Sequence, residues 1–94
     1  MPLYAFEMEF PDGDAAGYDR VIEKMGISDG NVPDGAVFHW AAPKPDGGWR
    51  VVDVWDDPAK FEAFAAEQIG PISGAEGFSP PTVTSYAVHN TLSR

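Results

Sequence analysis

Ninety-four residues make one domain, spanning residues 1–94, and a domain this small buries only a modest core, so a second copy would add substantially to it. Fifteen acidic residues against six basic ones leave a net charge of −9 without a basic cluster, which argues against nucleic acid and anionic lipid as partners. Cysteine is absent, which excludes a disulfide framework, a thiol nucleophile and a thiolate metal site; with no export leader or membrane-length apolar run, the expectation is a cytoplasmic protein.

Residues 3–10 alternate Tyr4, Phe6, Met8 and Phe10 against Leu3, Ala5, Glu7 and Glu9, which predicts a half-buried strand ended by Pro11, Asp12 and Gly13. Tyr18, Val21, Ile22 and Met25 fall at i, i+3, i+4 and i+7, so an amphipathic helix should follow, with Asp14 as N-cap and Gly26 as its stop. Residues 27–35, rich in Asp, Gly, Asn and Pro, read as a loop that could edge a pocket. Residues 36–42 read as a second strand, and Pro45, Asp46, Gly47 and Gly48 as a tight hairpin into a third.

That third strand, residues 49–55, alternates between a face carrying Trp49, Val51, Asp53 and Trp55 and a face carrying Arg50, Val52 and Val54. With a two-residue tip at Pro45-Asp46 or Asp46-Gly47, Phe38 and Trp40 share the Asp53 face, while His39 shares the other, provided no bulge intervenes. Asp57 then caps a second helix opening at Pro58, whose stripe is Phe61, Phe64, Ala65, Ile69 and Ile72. Residues 70–81 are punctuated by glycine and proline, and residues 82–90 read as a final strand. The order β-α-β-β-α-β implies an α+β fold: a four-stranded antiparallel sheet with both helices on one face, leaving the other for a homodimeric partner.

The segment DVWDDPAKFEAF, residues 53–64, is similar to a feature of the antibiotic-biosynthesis-monooxygenase-like proteins of the dimeric α+β barrel superfamily: an acidic-x-Trp strand end followed by a capped helix. The resemblance implies a ferredoxin-like sheet, a cavity between sheet and helices in each subunit, and chemistry on polyphenols or quinols, haem degradation or polyketide cyclisation. The haem-degrading branch places a histidine on the second helix, where this chain has Phe64 or Ala65, and an asparagine on the first strand, which here has none. Only Trp55 matches that branch, so the resemblance argues against haem degradation while leaving room for a flat aromatic ligand among Phe38, Trp40, Trp55 and Phe64.

Asp53, beside aromatic residues and partly desolvated, is suited to take a proton from a phenol or an activated carbon; alternatively it is paired with a backbone group, a tyrosine or Arg20. Trp55 could stack on a substrate or simply fill the core. His39 is expected toward the partner sheet, bridging subunits or acting as a base. Tyr86 could donate to a ligand carbonyl or anchor the core, and of His89 and Asn90, neighbours on a strand, at most one can enter a cavity. Neither a metal-ligand spacing nor a phosphate-cradling loop is present. Two readings follow. One is a cofactor-independent enzyme in which Asp53 or His39 deprotonates an aromatic or polyketide-like substrate that Trp55, Trp40 and Tyr86 orient, for oxygenation or for cyclisation and isomerisation. The other is a non-catalytic dimeric barrel binding a small apolar ligand or a protein partner.

Overall fold

Period-two patterning in the first residues produces strand β1 (Tyr4–Phe10), with Phe6, Met8 and Phe10 buried, in the computed structural model, which describes residues 2–94. Helix α1 (Ala15–Met25) begins where the Asp14 carboxylate accepts from the Gly17 N–H at 2.8 Å, and it ends at Gly26, whose φ of 71° is the left-handed conformation that closes helices. Strands β2 (Ala36–Pro43) and β3 (Trp49–Trp55) form the central hairpin. Helix α2 (Pro58–Phe64) opens with Asp57 accepting from the Ala59 N–H at 2.9 Å and with proline at its first position, where no N–H is needed. It runs through one wide π-helical turn (Ala65–Ile69) into α3 (Gly70–Ala75), and β4 (Thr82–Ala87) follows.

The four strands pair antiparallel in the order β2-β3-β1-β4, and the helices cover one face of the sheet. Phe6, Met8 and Phe10 stand opposite Asp53, Val51 and Trp49, and with Trp55 they meet Phe61 and Ile69 from the helices. The Phe6 and Phe61 rings stack with centroids 3.9 Å apart. Burying each such aromatic contributes about 1.5–3 kcal/mol, so this aromatic layer is what holds α2 to the sheet.

Three sequence expectations change. The hairpin tip has three residues, not two: the Lys44 N–H donates to the Gly48 carbonyl at 3.0 Å, enclosing Pro45, Asp46 and Gly47. An odd loop inverts the parity of β2, so His39 stands opposite Asp53, whereas Phe38 and Trp40 stand opposite Val54 and Val52 on the open face. A bulge between Ala36 and Phe38 adds a further shift at the far end of β2. The π-helical turn also advances the phase of the second helix by one residue, so Ser73 is buried where Ile72 was expected and donates its hydroxyl to the Ile69 carbonyl. Finally, β4 stops at Ala87, which leaves His89 and Asn90 beyond the strand.

Candidate functional site

A cavity of about 510 Å³ opens between the sheet's covered face and the helices, within the size range of small-molecule sites. Its walls come from β1, α1, β2, β3 and the second helix, and the loop after α1, from Ile27 to Pro33, forms its rim. The lining is largely apolar, and its charged members are Asp53 and Asp29; neither lysine nor arginine lines it.

The inverted parity of β2 assembles the polar part of this wall. His39 Nδ1 lies 2.6 Å from Asp53 Oδ1, and the Trp55 indole N–H donates to Asp53 Oδ2 at 3.2 Å. Asp53 is 6% exposed, so its negative charge is compensated by two directed donors rather than by water. The Asp53 carboxylate can only accept, which places the imidazole proton on Nδ1 and leaves a lone pair on Nε2. That lone pair accepts from the hydroxyl of Tyr18, one turn into α1. The Tyr18 ring lies nearly parallel to the imidazole, 9° between planes, and packs against Trp49 at 5.4 Å. Burial pushes the Tyr18 phenol up to about 12, and the charges of Asp53 and Asp19 add to the shift, so it stays a proton donor throughout the neutral range.

Trp55 is 1% exposed, edge-on to Phe61 and 5.6 Å from Phe64, so it is both a core residue and a wall of the cavity. Of the expected site residues, Asp53, His39, Trp55 and Phe64 meet at the cavity, and Phe38 reaches its edge while remaining 63% exposed. Trp40 and Tyr86 lie outside it, on the open face of the sheet. His89 and Asn90 border a shallow surface depression with Pro2 and Leu3. Arg20, considered as a partner for Asp53, pairs with Glu76 instead. Tyr18 is the residue that sequence reasoning missed: it sat on the apolar stripe of α1, and its phenol was the one polar tip there. Among the described residues no cluster of three metal-ligating side chains occurs, and no helix is long and apolar enough to cross a membrane.

No protein-family model and no curated protein matches the chain. Solved structures do match along its whole length. A protein of unknown function from Nitrosomonas europaea aligns over 100% of this chain and 96% of its own, with TM-score 0.73 and 19% identity. SnoaB, a cofactor-independent oxygenase from Streptomyces nogalater, aligns over 100% of both chains with TM-score 0.70 and 17% identity. The chain has the ferredoxin-like α+β fold that these solved structures share. A dimeric ferredoxin-like protein of unknown function from Jannaschia sp. CCS1 aligns with TM-score 0.53 and 21% identity, covering 94% of this chain and 100% of its own. In this chain, the acidic-x-Trp strand end that carried the sequence resemblance supplies both Asp53 and Trp55 to the cavity wall.

Proposed function

We propose that this chain is a cofactor-independent enzyme acting on an aromatic or polyketide-like small molecule, with the His39–Asp53 pair as the base that removes a proton. The observation that supports it most is that pair, 2.6 Å apart on the wall of an apolar cavity. The Asp53 carboxylate beside the ring would pair with the imidazolium formed when His39 takes a proton. Trp55 and Phe64 offer flat surfaces against which a ring system can lie, and the lack of lining cations favours uncharged substrates over carboxylated or phosphorylated ones. Molecular oxygen would then react with the substrate carbanion, or the carbanion would close or isomerise a ring. The likeness to SnoaB lends support to the oxygenation branch.

The same reading takes the working form to be a homodimer joined through the open sheet face. Phe38, Trp40 and Tyr86 stand 63%, 44% and 51% exposed there. The chain exposes 6004 Å², against about 5,300 Å² expected of a monomer of this mass, an excess that a partner sheet would remove. A close-packed interior would have favoured a non-catalytic barrel, whereas a cavity with the Asp53 carboxylate on its wall supports the enzyme.

Oxygen uptake with a panel of polyphenols and quinols tests the reading. Asp53→Asn should lower kcat by about 10²- to 10⁴-fold with KM changed little, and His39→Gln should do the same. Turnover by Asp53→Asn equal to that of the parent removes the carboxylate from the mechanism.

A further inference from the structure

The nitrogen that the proposed base would use is already occupied. His39 Nε2 accepts the Tyr18 hydroxyl proton, and both side chains line the cavity. The Tyr18 oxygen, in turn, has no donor directed at it from any described residue, so its acceptor side is unfilled. A substrate hydroxyl entering the cavity therefore finds the phenol oxygen as an open acceptor, backed by an imidazole and then by a buried carboxylate.

We propose that Tyr18 is the catalytic residue that touches the substrate, passing the substrate's proton to His39 rather than leaving His39 to collect it directly. The inference rests on the base assignment above and adds the path. In one concerted step the substrate O–H bond breaks and its proton joins the Tyr18 oxygen, while the Tyr18 O–H bond breaks and that proton joins His39 Nε2. The substrate becomes an oxyanion, His39 an imidazolium paired with Asp53, and Tyr18 ends as it began, a neutral phenol now donating to the oxyanion. No oxidant is consumed in this step. A phenol whose own ionisation is pushed up to about 12 suits such a role, because it never rests as a competing phenolate. The charged groups facing it are Asp53 from β3 and Asp19 from its own helix, with Asp29 on the rim of the cavity. All three are acidic, so the tyrosine hydroxyl is the neutral donor through which a new oxyanion can be held beside them.

The test uses the full chain and 2-naphthol, an uncharged bicyclic phenol whose anion absorbs at longer wavelength. With the parent protein, bound 2-naphthol should show the absorbance of its anion while the His39 ring nitrogens shift to imidazolium values in ¹⁵N NMR. Tyr18→Phe should still bind the neutral probe, without the hydrogen bond to the phenol oxygen, but hold about tenfold less of the bound probe ionised at matched pH, the loss of about one hydrogen bond to an anion. Equal ionisation in Tyr18→Phe overturns the relay and leaves the His39–Asp53 base intact. A parent protein that fails to bind the probe, or binds it without ionisation, overturns both the relay and the base. A second measurement needs no variant: the Tyr18 ring ¹³Cζ resonance must move when the probe binds, and a fixed resonance overturns the contact.

Discussion

Asp53 shows how one side chain can serve the core and the cavity together. Its two oxygens take separate donors, the His39 imidazole and the Trp55 indole, so an asparagine at this position can satisfy only one of them with its single carbonyl. Asp53→Asn should therefore cost about 1–3 kcal/mol of stability through the unmatched donor, in addition to its effect on turnover, and a denaturant titration would measure it. Tyr18 carries a distinct signature. Its phenol ionises at a higher pH folded than unfolded, so burial of the neutral form stabilises the fold fully below the unfolded value of 10.0 and is lost as pH climbs through about 12. Tyrosinate absorbance should show one of the three tyrosines titrating late, near pH 12, and Tyr18→Phe should abolish that late step while flattening the loss of stability between pH 10 and 12.

Two short elements decide where these residues point. The three-residue hairpin tip sets the face of β2, and it closes only because Gly47 and Gly48 adopt φ values of 102° and 90°. Gly48 is the more constrained, since a Cβ there would lie 2.8 Å from the Phe10 carbonyl oxygen, a backbone atom that cannot swing aside. Gly48→Ala is expected to lose about 1–3 kcal/mol, and to lower Tm by roughly 4–8 °C for each kcal/mol; an unchanged thermal melt would show that the tip can relax. The π-helical turn is the second such element. By advancing the helical phase it turns Ser73 inward beside Ile69 and leaves Ile72 only half-buried, which places a small polar residue on the cavity wall where an isoleucine would take up room.

At the scale of the molecule, the helices protect one side of the sheet and leave the other bare. The open face carries Phe38, Trp40 and Tyr86 among the charged ladder of Glu7, Glu9, Lys44 and Arg50, in which Arg50 donates to Glu9 at 2.6 Å. Strand β4 is exposed along its whole length and forms one edge of the sheet, a surface that isolated proteins usually cover or charge. A homodimer through this face accounts for both features. Sedimentation should give about twice the 10.1 kDa chain mass, and Trp40→Glu, which sets an unpaired charge within the proposed contact, should return the chain to a monomer. A parent protein that sediments as a monomer at micromolar concentration would refute the assignment of this face.

Local rules made most of the fold legible before any tertiary contact was known. The caps at Asp14, Gly26 and Asp57 act through neighbouring backbone groups, and alternation in β1 and β3 reflects burial on one side of a pleat, so the elements and the β-α-β-β-α-β order could be read from adjacent residues. Asp53 and Trp55 could be placed together for the same reason, since two residues apart on one strand share a face. The partnership of Asp53 with His39 could not, because it turns on whether the hairpin tip holds an even or an odd number of residues, and that is settled by how β3 packs against β1 and the tip against Phe10. Tyr18 lay further still from local inference: only the packing of α1 across the sheet brings a helix residue to the imidazole of β2, and contact between distant segments has no signature in either segment alone.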